Sequence, residues 1–105
     1  IELGSLAELQ YLYLQNNRLS LVSLNDSNKL ATLYLYNNQL TELDVSALTE
    51  LSELYLFHNQ LTSTELGLSE IKDTSANIYL YENQFNDAAK DRLEEMKVSY
   101  SNLTY

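Results

Sequence analysis

Cysteine is absent from this 105-residue chain, so it can form no disulfide, no thiolate nucleophile and no cysteine metal site. Glycine is nearly absent, and Gly4 and Gly67 alone cannot build a glycine-rich phosphate loop. One histidine, His58, with scattered carboxylates does not make a tetrahedral zinc site. We therefore expect no metal, no cofactor and no catalytic residue, and predict that the protein is not an enzyme.

Basic residues are scarce as well. Six Lys and Arg stand against fifteen Asp and Glu, which gives a net charge of −9. Nucleic-acid binders usually present a basic face, and anionic lipid attracts basic segments. No apolar run approaches the ~20 residues of a membrane-spanning helix. The composition predicts no nucleic-acid partner and no membrane insertion, and charge steering would favour a basic partner.

An internal repeat organises the chain. Three segments align without gaps at a period of 21 residues, namely LQYLYLQNNRL (9–19), LATLYLYNNQL (30–40) and LSELYLFHNQL (51–61). A fourth copy, SANIYLYENQF (75–85), follows after a spacing of 24 residues. A second set of apolar positions separates the copies, at Ile1, Val22, Leu43 and at Leu3, Leu24, Val45, Leu66. Units of this kind bury their apolar edges by stacking on one another.

These four copies resemble leucine-rich repeats, whose core reads L-x-x-L-x-L-x-x-N-x-L. The 21-residue period looks like the short class found in bacterial and bacteriophage proteins. The resemblance implies an α/β-type solenoid, a right-handed superhelix with a parallel concave sheet, that recognises another protein without catalysis. We predict one domain over 1–105, with a partial N-terminal turn at 1–8, repeats at 9–85 and a C-terminal cap at 86–105.

Alternation along the LYL core predicts which side chains are buried. Leu33 and Leu35 lie two residues apart, and Tyr34 between them points to the opposite face of a strand. The inward positions of the four predicted strands are then Leu12, Leu14, Leu33, Leu35, Leu54, Leu56, Ile78 and Leu80. At the strand exits we expect a ladder of buried side chains that bond backbone groups, formed by Asn17, Asn38, Asn59 and Asn83.

Residues 86–105 depart from the repeat and predict a cap. Asn86 or Asp87 is a suitable residue to begin a helix. Ala89, Leu93 and Met96 then form one apolar stripe at helical spacing. The tail VSYSNLTY favours a short strand. A helical C-terminal cap of this kind would close the end of a solenoid.

Two neighbouring columns on the open face of the predicted sheet are aromatic at seven of eight positions, reading Tyr13, Tyr34, Tyr55, Tyr79 and Gln15, Tyr36, Phe57, Tyr81. The flanking columns read Tyr11, Thr32, Glu53, Asn77 and Asn16, Asn37, His58, Glu82. Exposed apolar surface usually marks an interaction site, and tyrosine is a favoured anchor at interfaces. The predicted partner-binding residues are Tyr11, Tyr13, Tyr34, Tyr36, Glu53, Tyr55, Phe57, His58, Tyr79, Tyr81 and Glu82.

Other interpretations stay open at this stage. A tyrosine ladder can serve sheet stability alone. An aromatic row can also stack on sugars, which would make the chain a binder of glycans at a cell surface. A third possibility is an assembly element of a larger surface or virion protein, which would place the chain outside the cell or in a phage. A general-base role for His58 beside Glu82 is the weakest alternative, since an exposed ion pair explains the two residues.

The first six residues, Ile1 to Leu6, match the second half of a repeat, and no helix or polar blocking strand precedes them. The first predicted strand, residues 10–14, would therefore be an edge strand beside an open apolar end. Natural proteins rarely leave such an edge free. We expect either that the native chain continues upstream or that two copies pair there as a two-fold homodimer.

Overall fold

The computed structural model describes residues 6–24, 27–63 and 65–105. They form a solenoid in which each turn adds one strand to a five-stranded parallel sheet of order β1-β2-β3-β4-β5. The strands are β1 (Tyr11–Tyr13), β2 (Thr32–Tyr34), β3 (Glu53–Tyr55), β4 (Asn77–Tyr79) and β5 (Leu103–Thr104). A 3-10 helix (Leu68–Glu70) precedes β4, and the helix α1 (Asp87–Met96) precedes β5. The first strand is thus shorter than the predicted span of residues 10–14.

The repeat period sets the register of the sheet. Leu12 pairs with Leu33, Leu33 with Leu54, and Leu54 with Ile78. The longer spacing before the fourth copy is taken up outside the strands, in the segment that holds the 3-10 helix. The predicted inward side chains of β2 to β4 are completely buried, as the alternation required; these are Leu33, Leu35, Leu54, Leu56, Ile78 and Leu80.

At the N-terminal end the same prediction is only partly correct. Leu12 and Leu14 are half-buried, because β1 is an edge strand of the sheet and no described turn stacks on its outer side. The second apolar set forms the opposite wall of the core, and its members Val22, Leu24, Leu43, Val45 and Leu66 are buried. Ile1 and Leu3, which were predicted to join this wall, lie outside the described residues.

The asparagine ladder joins each turn to the one before it. Asn59 accepts the backbone N–H of Leu40 at 3.0 Å and donates to the carbonyls of Leu35 and Leu56 at 3.0 and 3.1 Å. Equivalent bonds are made by Asn38 and by Asn83. Each side chain thereby satisfies backbone groups of two turns at a bend, which the hydrogen bonds between the strands of the sheet do not reach.

The prediction that these asparagines are buried holds for Asn38 and Asn59, while Asn83 is half-buried. It is wrong for Asn17, which is exposed and, among the described residues, donates only within its own turn, to Leu14 and Gln15. The difference has the same physical origin as the exposure of Leu12. A ladder residue is buried only when the turns on both sides of it are stacked.

The C-terminal cap forms as predicted. Asn86 begins α1 by accepting the N–H of Ala89 at 2.8 Å, and the stripe Ala89, Leu93 and Met96 faces the core. The buried Tyr100 donates its hydroxyl to the carbonyl of Ile71 at 2.8 Å, and the tail then pairs as β5 with β4. Within the described part of the chain, no helix is long and apolar enough to cross a membrane.

Candidate binding surface

The seven aromatic side chains form two rows on the solvent side of the sheet. The first row is Tyr13, Tyr34, Tyr55 and Tyr79, and the second row is Tyr36, Phe57 and Tyr81; together we call them the aromatic face. Strand pairing sets the spacing within each row. The rings of Tyr34 and Tyr55 stack at 4.3 Å between centroids with an interplanar angle of 5°. In the second row, Tyr36 stacks on Phe57 at 4.5 Å and 10°.

The stacking extends along both rows and joins them. Tyr79 continues the first row at 4.7 Å from Tyr55, and Tyr81 continues the second at 4.7 Å from Phe57. Rings two residues apart on one strand lie 6.0 to 6.3 Å apart and tilted. Tyr13, at the start of the first row, does not stack in this way, because its ring is tilted by 51° from that of Tyr34 and its side chain remains 54% exposed.

Stacking decides which part of each ring a partner can reach. The flat faces of the inner rings are covered by their neighbours, and all six rings other than Tyr13 are half-buried. Ring edges and hydroxyls are therefore the groups that the aromatic face presents to solvent. An aromatic edge carries partial positive charge and the hydroxyl is a hydrogen-bond donor and acceptor.

A carboxylate borders the aromatic face on the side where the strands begin. Tyr34 donates its hydroxyl to Glu53 at 2.6 Å. This hydrogen bond raises the pKa of Tyr34 far above its ordinary value, and partial burial and the neighbouring Tyr55 add to the shift. Burial also raises the pKa of Tyr55. Both phenols are thus neutral near physiological pH, and Glu53 holds the Tyr34 ring in place.

The other border of the aromatic face is a column of residues in the left-handed backbone conformation. Asn16, Asn37, His58 and Glu82 have φ of 62°, 57°, 56° and 57°. Asn adopts this conformation several-fold more readily than most residues, and His does so to a lesser extent, whereas Glu is an unusual occupant. The conformation turns each chain sharply out of its strand. The signal for it in the sequence is the asparagine at two of the four positions, since asparagine tolerates this conformation.

Side chains in this border column interact in pairs. Asn37 donates to the side chain of Asn16 at 2.7 Å, and His58 contacts the carboxylate of Glu82. The predicted neighbours His58 and Glu82 are therefore together, on the exposed rim, where their ion pair depends on protonation of the imidazole. Phe57 meets the His58 ring edge-on at 5.7 Å. In the described ranges there is no group of three or more His, Cys, Asp or Glu that could hold a metal ion.

Two further side chains lie at the N-terminal corner of the face. Tyr11 is 58% exposed on β1, and it makes no ring contact with other described residues. Gln15 occupies the first position of the second row, where its Oε1 atom is buried with no hydrogen-bond partner among the described residues. Tyr11 therefore lies apart from the stacked rings, in the flanking column with Thr32 and Glu53 that the sequence pattern predicts.

Comparison with protein families agrees with this architecture. A family model of two leucine-rich repeats matches residues 28–70, and a model of a single leucine-rich repeat matches residues 8–28. Together the two matches extend over more than half of the chain. The chain belongs to the leucine-rich-repeat family. No match to a curated protein or to a solved structure is found. Leucine-rich repeats are in general modules for protein interaction and generally do not catalyse reactions.

Proposed function

We propose that this leucine-rich-repeat domain binds a protein partner through the aromatic face. The observation that carries the proposal is the array of seven rings on the solvent side of the sheet, opposite a core whose leucines are completely buried in the second and third repeats. Aromatic residues are enriched at the centres of protein interfaces, where each buries a large area at a small cost in conformational entropy. A face of this composition is suited to recognition.

The stacked arrangement also prepares the face for binding. Tyr55 and Phe57 are each held between two stacked neighbours at 4.3 to 4.7 Å, so these rings have little freedom left to lose. Ordering an interface side chain otherwise costs about 0.5–1.5 kcal/mol. The sheet beneath is anchored by the leucine core and the asparagine ladder. Little of the free energy of binding would then be lost to ordering the aromatic side chains.

Ring orientation favours a protein over a glycan. A sugar stacks on the flat face of an aromatic ring, and in the aromatic face those flat faces are covered within each row. Exposed edges and hydroxyls instead suit backbone carbonyls and aliphatic side chains, which need no free ring face. Within the aromatic face, only the rings at the row ends, such as Tyr13, have a flat side that no other ring covers.

Charge favours a basic partner. Neither aromatic column nor either flanking column contains a Lys or Arg, while Glu53 and Glu82 lie on opposite borders. With a net charge of −9 the whole molecule attracts cations at a distance. Complementary charge mainly increases the association rate and excludes acidic competitors. We infer a partner segment in which aliphatic residues contact the rings and Lys or Arg reaches the two carboxylates.

A displayed library of random peptides, used in parallel with a glycan array, tests this proposal. The variant is Tyr34→Ala with Tyr55→Ala, which removes the two most closely stacked rings; the matched control is Tyr105→Ala, on the cap and away from the aromatic face. We expect basic, aliphatic peptides that bind the wild type and the control and lose binding to the double variant.

Three outcomes would contradict it. If the protein binds glycans on the array and selects no peptide from the library, it is a sugar binder. Peptides that bind the double variant as well as the wild type would place the site elsewhere. A double variant that is folded in circular dichroism but much less stable, with no ligand found for the wild type, would leave the rings a role in stability alone.

A further inference from the structure

The second aromatic row alternates between rings with and without a hydroxyl group. Its order across the strands is Tyr36, Phe57, Tyr81, and Phe57 stacks within 10° of parallel on both neighbours. The two steps between ring centroids are 4.5 and 4.7 Å, so the rings of Tyr36 and Tyr81 are at most 9.2 Å apart. Each phenol can donate one hydrogen bond. The row thus presents two donors with an apolar ring between them.

Both of these donors are available to a partner. Among the residues that the structure describes, no group forms a hydrogen bond with the hydroxyl of Tyr36 or of Tyr81. Tyr34, by contrast, is already bonded to Glu53. A partner that covers the face removes water from the two hydroxyls, and a buried donor without an acceptor is costly. The partner must therefore bring two hydrogen-bond acceptors at the spacing of Tyr36 and Tyr81.

This spacing distinguishes between the backbone conformations of a bound segment. The polyproline II helix has three residues per turn and rises about 3.1 Å per residue, so equivalent carbonyls recur about every 9.3 Å. Residues on one side of an extended strand recur roughly every 6.8 Å, and one turn of an α-helix rises about 5.4 Å. Of the three repeats, only that of polyproline II brings two equivalent carbonyls to both hydroxyls.

The polyproline II helix also has carbonyls to offer. It contains no internal hydrogen bonds and its backbone is fully solvated, whereas the carbonyls of an α-helix accept bonds within the helix. The two aromatic rows lie 6.0 to 6.3 Å apart and are tilted against each other by 40° to 49°, which gives two lines of ring edges across the strands. Surfaces lined with aromatic rings are known to bind proline-rich segments in this conformation.

Negative charge lies at one end of the aromatic rows. Glu53 is on β3 and Glu82 follows β4, whereas the border positions beside β1 and β2 are uncharged. These uncharged residues are Tyr11, Thr32, Asn16 and Asn37. Because Glu82 already contacts His58, Glu53 is the main anchor for a cation. A segment that runs along the rows should therefore carry its Lys or Arg at the end that lies over β3 and β4.

From the spacing of the two unbonded hydroxyls and the position of the charge, we propose that the aromatic face binds a proline-rich segment in the polyproline II conformation, which runs across the strands. Two of its carbonyls, three residues apart, accept hydrogen bonds from Tyr36 and Tyr81. Proline and aliphatic side chains between them pack on Phe57, and Lys or Arg reaches Glu53. This inference rests on the function proposed above, because it assigns the conformation and composition of that partner.

Fluorescence anisotropy with two labelled peptides tests the conformation. The probe consists of Pro-Pro-Val triplets with Lys at one end, and in the control peptide glycine replaces every proline. We expect the probe to bind at least about tenfold more tightly, because its conformation is formed before binding. If the glycine peptide binds equally well and Tyr34→Ala with Tyr55→Ala abolishes the binding, the face binds peptides but the polyproline II proposal is overturned. If neither peptide binds while library peptides do, it is overturned as well.

A pair of conservative substitutions tests the two donors. Tyr36→Phe with Tyr81→Phe removes both hydroxyls and keeps both rings, so the stacked row remains. We expect affinity for the probe to fall about tenfold, since two hydrogen bonds are lost. The matched control is Tyr105→Phe on the cap, which should bind like the wild type. A double variant that is folded in circular dichroism and binds the probe with unchanged affinity would overturn the role of the two hydroxyls and with it the proposal.

An aspartate scan of the probe peptide reads its conformation on the protein directly. Aspartate replaces each position of the probe in turn, and a carboxylate that is pressed against the rings loses its hydration. We expect the loss of affinity to recur at every third position, as the polyproline II repeat requires. A loss at every second position would identify an extended strand, and a loss at intervals of three and four an α-helix. Either pattern would overturn the proposal and leave peptide binding by the face intact.

Discussion

The first and the last described turns of this chain are covered to different extents. At the C-terminal end, α1 and β5 cover the last repeat, and Leu93, Met96, Tyr100 and Leu103 are buried there. At the N-terminal end, a repeat with nearly the same sequence as the interior ones leaves Leu12 half-buried and Asn17 exposed. Residues of the same type at the same position of the repeat are therefore buried to different extents, and we expect them to contribute differently to stability. What they contribute depends on the stacked neighbour, as expected for a quasi-one-dimensional fold.

The largest effect expected from this comparison is in the core. Leu33→Ala should lower the free energy of unfolding by about 3–5 kcal/mol, because Leu33 has no exposed surface, whereas Leu12→Ala on the paired position of β1 should cost roughly half as much. Denaturant unfolding followed by circular dichroism, at concentrations where the chain is monomeric, measures both. Equal costs would show that Leu12 is as well covered as Leu33 and that the end is not open.

A smaller difference is expected in the asparagine ladder. Asn59→Ala leaves the buried N–H of Leu40 without its acceptor, which should cost about 1–3 kcal/mol. The carbonyls of Leu35 and Leu56 each lose one of two donors, since Asn38 and Asn83 still bond them. Asn17→Ala removes only bonds within an exposed turn and should cost less than about 1 kcal/mol. The same unfolding experiment applies. If Asn17→Ala were the more damaging change, the ladder would be supported from outside the described residues.

The smallest effect concerns the first aromatic row, where the interior Tyr34 is bonded to Glu53 and the terminal Tyr13 is exposed. The folded pKa of Tyr34 is raised above the ordinary value of 10.0, so its stabilising effect is complete below that value. The stabilisation is lost as the pH rises through the folded pKa, since the unfolded phenol ionises first. The hydrogen bond to Glu94 also raises the pKa of Tyr105, to about 12, so ultraviolet titration should show more than one late phenol, with Tyr34 the last to ionise.

Glu53→Gln sharpens this test. Removal of the carboxylate should move the last phenol back towards the ordinary range, and Tyr34→Phe should remove it from the titration. Tyr13→Phe is the matched control and should leave the last phenol unchanged. Tyr105 should still ionise late in Tyr34→Phe. If the last phenol of Tyr34→Phe ionises at the same pH as the last phenol of the wild type, the most strongly raised pKa belongs to another tyrosine.

Several features could be predicted from the residues alone because they depend on local chemistry repeated at a fixed interval. The 21-residue spacing aligned Leu33 with Leu54, and the structure has that register. Alternation placed Tyr34 opposite the leucines, and Asn86 marked the start of α1. The placement of His58 beside Glu82 also followed, since residues at equal repeat positions become neighbours across adjacent strands.

Other features depend on which turns are stacked against which, and no property of a single repeat contains that information. The sequence by itself determined the solenoid, its register, its cap and the side of the sheet that carries the aromatic rings, because each follows from periodicity. Tertiary structure alone decided that Leu12 is only half-buried, that Asn17 is exposed and that the inner rings present edges and not faces. It also decided that Tyr34 is held by Glu53. The physical reason is that burial, ring orientation and hydrogen bonding across strands are properties of a residue together with its neighbours in adjacent turns.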